Sequence, residues 1–459
     1  MLSRREATQL LVAAGLAGSA EVAVAADAAL QRPSRRSEIA ALRQFAQTKH
    51  PRRLEAAADP DWRARWDKLL AEADELGDGA YFVHARRALA WFKDGHTTIL
   101  PFEFVGGVPA ALANGPFSYN LPVRARVFHD GAWIVAAGAD AKSLLGARIT
   151  RIGKLTAAEL IRALAEQWPG NDAWAHRWSA APFASPAFLQ GLGAIDNSAA
   201  PVPFEAQSGT KALKGSLEPT ANAQSDLLQV TRKATEIEGW ASSAASGNFV
   251  RALPDRQALY LSIDEMDDVE GKTFGAFTRE AFAAMAAPGI ERLVVDLRRN
   301  GGGNNYLAEP LRKRIGRSAF NRPGGLYVLI GPRTFSAAQN CVNRLERETF
   351  ATFVGEPTGG APNHYGDAAI FTGEITGISA IVSTLPWFDS YPQDTRPWIL
   401  PDLPVNETFA DWQAGRDIAL QRALTHRNTA ATDELGASRT FYFERESQKG
   451  KDWRPFWRA

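Results

Sequence analysis

A single cysteine, Cys341, among 459 residues leaves no partner for an internal disulfide and excludes a cysteine-based zinc cluster. The seven histidines are scattered, with no HExxH pair and no other metal-ligand spacing, so neither a metal nor a cofactor is expected. A phosphate-cradling Gly-Lys-Ser/Thr loop is missing too. The dinucleotide-like start at Gly301 and Gly303 fails at its third position, where Tyr306 stands. Net charge is only +1 and no block of Lys or Arg stands out, which argues against nucleic acid as a partner. No apolar run is long enough for a stable membrane span, because the best candidate, near the N-terminus, is broken by glycines and Glu21. With 45% hydrophobic and 22% charged residues the chain is of globular type, long enough for two or three domains with a sizeable core.

The first residues read as an export signal. Arg4 and Arg5 precede an apolar stretch from Leu10 to Ala17, and Ala23-Val24-Ala25 offers small residues for cleavage. Residues 1–25 are therefore expected to be removed and the mature protein to be periplasmic or secreted. Residues 26–115 form an expected helical domain, since Leu54, Trp62, Trp66, Leu69, Phe82, Leu89 and Phe92 recur at helical spacing. That pattern stops at a polar turn carrying His96, a lone histidine that reads as a helix cap as readily as a functional group. In residues 116–178, alternation of Leu121, Val123, Ala125, Val127, Trp133 and Val135 around Asp130-Gly131 predicts a hairpin. The following LLGARITRIGKLTAAEL is similar in part to the carboxylate-loop end of PDZ-like modules, so this is expected to be a small β-rich, PDZ-like domain. Residues 179–255 read as a connecting region with its own hairpin at PFEAQSGTKALKGSL. From 256 to 425, strands alternate with helices of roughly ten residues, the pattern of an α/β domain, and 426–459 is left as a C-terminal tail.

Two stretches of the α/β part stand out. The strand ending at Asp296 runs into Gly301, Gly302 and Gly303, where bare amides can approach a ligand or a developing charge. A flexible turn is the plain alternative. The strand of YVLIGPRTFSAAQ ends at a Gly-Pro turn and delivers Ser336 to the start of an expected helix. Together they suggest an oxyanion hole from the amide of Ala337 and one of Gly302 or Gly303, beside a serine that still needs a base. Ser336 lacks the flanking glycines of a nucleophile elbow, which weighs against an ordinary α/β-hydrolase.

DLRRNGGG, TFSAA, FVGEPTGG and LPDLPV, with KDGHTTI far upstream, resemble the tail-specific (C-terminal processing) and tricorn-core serine protease family. The resemblance implies a crotonase-like ββα catalytic domain and a serine-type peptidase acting on a peptide or protein. It matches Ser336 to the nucleophile and Gly302, Gly303 and Ala337 to the oxyanion region. One branch of that family uses a lysine base, but no lysine occurs here between Lys313 and Lys449. The histidine branch matches His96 to the general base. His364 is a second candidate, otherwise a loop or substrate-contact residue. By position Asp394 is the expected orienting acid, ahead of Glu374. The alternative reading is a non-catalytic protein on the same fold that holds a peptide or hydrophobic ligand.

Overall fold

The computed structural model describes residues 33–102, 106–221, 224–233, 247–269, 271–427 and 453–458. The expected export signal lies outside the described residues. The described chain opens with helices α1 (Arg35–Lys49), α2 (Pro60–Glu72) and α3 (Asp78–Leu89), with a short helical segment, Arg53–Ala58, between the first two. A Ser34–Ser37 capping box starts α1, while Asp59 caps α2 ahead of a proline in its first turn. Their apolar stripes, including Leu42, Trp62, Trp66, Phe82 and Leu89, meet in one core. After α3 a short 3₁₀ turn is ended by Lys93 at φ 51°, and the chain passes through Asp94–Thr97 into the two-residue strand β1 (Thr98–Ile99). Arg86, buried in α3, donates from Nε (2.9 Å) and Nη2 (2.8 Å) to the Ile99 carbonyl, its guanidinium lying over Trp168 and Phe82. The turn that carries His96 is thereby anchored from behind.

An antiparallel sheet follows, built from β2 (Val123–Phe128), β3 (Gly131–Ala137), β4 (Arg148–Ile152), β5 (Val202–Ser208) and β6 (Lys211–Leu217). The Asp130-Gly131 turn sets the β2–β3 register, and helix α4 (Ala157–Ala165) packs Leu160, Ile161 and Leu164 beneath the sheet. Helix α5 (Asp172–Trp178) adds Trp174, Ala175 and Trp178 to the same core. The β5–β6 hairpin was expected in a separate connecting region. It instead pairs with β4, Ile149 opposite Ala206, so the sheet crosses the expected boundary at 178. The physical reason is that residues 116–178 alone would leave β4 as an open edge. Part of the expected tail also packs: Trp457 is fully buried in this core, and its carbonyl accepts from Arg162 Nε at 2.9 Å.

The third unit contains β7 (Phe249–Leu253), β8 (Ala258–Ser262), α6 (Phe274–Met285), β9 (Arg292–Asp296), α7 (Asn305–Gly316), β10 (Leu326–Ile330), α8 (Ala337–Glu348) and β11 (Thr352–Gly355). Later come the hairpin β12 (Ala369–Thr372) and β13 (Ser379–Val382), then β14 (Leu403–Pro404) and α9 (Ile418–Thr425). The sheet order is β7-β8-β9-β10-β11-β14, parallel except for the β7–β8 pair. Helices α6, α7 and α8 cover one face, with Phe277, Leu311 and Val342 against Leu261, Val295 and Val328. On the other face Tyr260, Val294 and Leu329 lie under Leu420 and Ala423 of α9. Burial on both faces is why β8, β9 and β10 read as unbroken apolar runs.

The β12–β13 hairpin leaves this sheet and reaches the N-terminal helices. There β13 pairs with β1, Thr98 opposite Ile381. Glu38 of α1 accepts from Tyr81 Oη (2.6 Å) and from the amides of Ile375 (2.7 Å) and Thr376 (2.9 Å), fixing the same hairpin from the other side. Among the described residues no helix is long and apolar enough to cross a membrane.

Candidate active site

Because β9 and β10 are parallel neighbours, with Asp296 opposite Leu329, the loops that follow them leave the carboxyl edge of the sheet side by side. Asn300, fully buried, stitches the edge together. Its Nδ2 donates to the Ile263 carbonyl (2.9 Å), its Oδ1 accepts from Gly302 N (2.9 Å), and its own carbonyl accepts from Phe335 N (3.2 Å). Thr334 Oγ1 adds a bond to the Leu297 carbonyl at 2.9 Å. These contacts hold the glycine turn against Ser336. A Cβ placed on Gly302 would lie 2.6 Å from Ser336 Cβ and 3.2 Å from Ala337 N.

Ser336 precedes α8 with φ 53° and ψ −126°, and its hydroxyl does not cap the helix. A non-glycine residue in that region costs on the order of 1–3 kcal/mol, which the stitched loops must supply. Of the expected oxyanion donors, Gly302 is corrected: its N–H is taken by Asn300. Its carbonyl accepts from Met266 N at 3.0 Å, so across the trans peptide the Gly303 N–H points away from Met266. The Gly303 and Ala337 amides donate to no partner among the described residues. Ala337 N follows Ser336 directly, and Gly303 N is next in the chain to Gly302, whose Cβ position touches Ser336.

His96 comes to the same place from the other side of the molecule. Its ring stacks on Phe335 (centroids 4.3 Å, 28°), which stacks in turn on Trp174 (3.9 Å, 15°), and His364 continues the series behind His96 (5.8 Å, 16°). Gly95 allows this, since a Cβ there would fall 2.7 Å from the Phe335 ring. Ser336, His96, Gly302 and Phe335 line one cleft of about 460 Å³, with Trp174, Trp178 and Leu100 on its apolar wall and Arg177, Arg299 and Asp264 on its polar side. No hydrogen bond joins Ser336 to His96. No lysine lines the cleft among the described residues, and no cluster there has the make-up of a metal site.

The charge environment separates the two histidines. Burial lowers the His96 pKa, opposed by the Asp94 carboxylate, the Tyr365 carbonyl and Asp367, so the imidazole is neutral at neutral pH. Burial and the neighbouring His96 drive His364 down to about 4, and its Nδ1 faces the Ala361 carbonyl at 3.0 Å. His364 does not line the cleft. Cys341 is no rival nucleophile, since burial pushes its thiol up to about 12.

Asp394 is corrected. Its carboxylate accepts from Ser390 Oγ (2.6 Å) and pairs with Arg396 (2.8 Å), which also binds Glu346 (2.9 Å), forming a buried structural cluster off the cleft. The carboxylate that faces His96 is Asp94, with Oδ1 3.9 Å from His96 Nδ1 and accepting from the His96 amide at 3.1 Å. Thr97 Oγ1 and Ser383 Oγ both donate to Asp94 Oδ2 at 2.6 Å. Burial pushes the Asp94 pKa up, but His50, His96 and these hydroxyls outweigh it and hold the carboxyl below its usual range. The resemblance places the acid downstream, which draws attention away from Asp94. Its place two residues before His96 was the available signal.

No protein-family model matches the chain, and no curated protein matches it in sequence. Among solved structures, mature CPAF complexed with lactacystin aligns with a TM-score of 0.56 at 11% identity, over 90% of this chain and 99% of that one. Mature CPAF aligns with a TM-score of 0.56 at 10% identity, over 90% and 98%. The photosystem II D1 C-terminal processing protease aligns with a TM-score of 0.39 at 12% identity, over 82% and 94%. The likeness is one of fold alone: a mixed α/β architecture shared with CPAF over nearly the whole of that chain.

Proposed function

We propose that this protein is a serine hydrolase, a peptidase that works through an acyl-enzyme on Ser336. The observation that carries the reading is the strained serine beside two unengaged amides, in one cleft with a half-buried, neutral histidine. Ser336 Oγ attacks the substrate carbonyl carbon and its proton passes to His96. The Gly303 and Ala337 amides receive the oxyanion, each contributing on the order of 3 kcal/mol. His96 then protonates the leaving amine, and water, activated by the same imidazole, releases the acyl group. Asp94 balances the imidazolium charge that forms between these steps. Sharing a fold with serine proteases supports peptide substrates. In this reading residues 256–425 are the crotonase-like core, 116–178 the heart of a PDZ-like unit extended by β5–β6, and 1–25 an export signal of a periplasmic or secreted enzyme.

A fluorophosphonate probe tests this directly. The folded protein is expected to be labelled at Ser336, with labelling abolished in Ser336→Ala and strongly slowed in His96→Ala. An unlabelled folded protein sinks the hydrolase reading. It would favour the second reading, a non-catalytic binder using the wall of Trp174, Trp178 and Phe335, which would retain ligand binding in Ser336→Ala.

A further inference from the structure

The hydrolytic reading uses His96 and Asp94 but leaves another buried histidine unexplained. His50, just after α1, is fully buried, stacked on Phe92 (3.8 Å, 24°) and touched by the Tyr365 ring (5.1 Å). Its Nδ1 accepts from the Arg52 amide at 3.0 Å. A neutral imidazole whose Nδ1 accepts carries its proton on Nε2. That Nε2 lies 3.4 Å from Asp94 Oδ2, the carboxylate oxygen other than the one nearest His96 Nδ1. We propose that His50 is a positioning residue, whose Nε2–H holds Asp94 from behind and extends the line Ser336–His96–Asp94 by one member.

Three features support it. The Arg52 amide fixes the tautomer, so no other nitrogen can serve Asp94. The stack on Phe92 fixes the ring plane, and Tyr365 couples both histidines, because its ring meets His50 while its carbonyl faces His96. Oδ2 of Asp94 also receives Thr97 and Ser383, so donors converge on one oxygen and leave Oδ1 toward His96. The titratable groups facing His96 are Asp94, Asp367 and His364; those facing Asp94 are His50 and His96, with Tyr365 alongside and Arg52 and Glu55 beyond it.

The inference rests on the hydrolase reading, and the test keeps the two apart. His96 is titrated by NMR through its ring proton in wild type, His50→Phe and His50→Gln, while fluorophosphonate labelling of Ser336 is followed in parallel. Losing the donor leaves Asp94 less neutralised, which favours protonated His96. The His96 midpoint is expected to rise by about 0.5–1 pH unit in His50→Phe, with labelling slowed by up to about threefold at pH 7, and to return most of the way in His50→Gln. If Ser336 is labelled but the midpoint is the same in all three folded proteins, His50 has no such role although the hydrolase reading stands. If wild type is not labelled, both fall. Should His50→Phe not fold, wild type decides: nitrogen shifts must show His50 protonated at Nε2, and a proton on Nδ1 overturns the proposal.

Discussion

The three consecutive glycines should respond to alanine in three different ways. Gly301 has ordinary backbone angles, and a Cβ there meets nothing closer than Arg177 Nη1 at 3.9 Å, so Gly301→Ala should fold and react almost normally. Gly302 sits at φ 122°, and its Cβ would stand 2.6 Å from Ser336 Cβ and 3.0 Å from Oγ. The backbone angle costs on the order of 1–3 kcal/mol and the overpacking about as much again. The new methyl also fills the space where the substrate oxygen must sit, and losing one oxyanion donor alone costs about 100- to 1000-fold. Gly302→Ala should therefore melt several degrees lower but react with a fluorophosphonate at least 100-fold more slowly. Gly303→Ala drives its Cβ into the Met266 carbonyl and should mainly lose stability. Thermal melting and the second-order labelling rate, measured on the three variants, separate these outcomes. Gly302→Ala labelled at the wild-type rate would refute the placement of the oxyanion site.

Activity should fall as pH drops through a midpoint below 6.5, because burial depresses His96, and Asp94→Asn should slow the reaction and move that limb lower still by removing the charge that favours imidazolium; a pH-rate profile reads both. Asp394→Ala should cost about 1.5–3 kcal/mol in denaturant unfolding by removing one of the two carboxylates on Arg396, which keeps Glu346, without moving the pH-rate limb. His364→Ala should retain more labelling than His96→Ala, since His364 lies behind His96 and outside the cleft. His176, driven by burial from 6.5 to about 4, binds its proton more readily in the unfolded chain. Its share of stability is present above pH 6.5 and lost as pH falls toward 4, so His176→Phe should flatten the acid side of a plot of unfolding free energy against pH.

The α/β alternation, the glycine turn, the helix that starts after Ser336 and the turn that carries His96 were legible because local signals carry them: apolar runs, turn glycines, a serine at a helix start. What escaped the sequence depends on register. Nothing local says that β1 pairs with β13, that β5 closes the edge of β4, or that the amide of Gly302 is already taken by Asn300 two residues earlier. Asp94 lay in plain view but is indistinguishable from a solvent-facing turn aspartate until Ser383 is brought against it. Asp394 failed for the converse reason, since a carboxylate at a suggestive position can be committed to a neighbouring arginine.

The pairing of β1 with β13 has a consequence in time. Asp94 and Ser383 are 289 residues apart, and Glu38 reaches Thr376 across 338. A chain made from its N-terminus onward holds His96 early, yet the turn has no partner strand, and Asp94 lacks one of its hydroxyl donors, until the hairpin near its far end exists. The Ser336 loop and the His96 turn therefore reach their final arrangement only when this hairpin closes. A nascent chain or a fragment ending before β13 carries His96 and Asp94 but lacks the strand and the Ser383 hydroxyl that complete their setting.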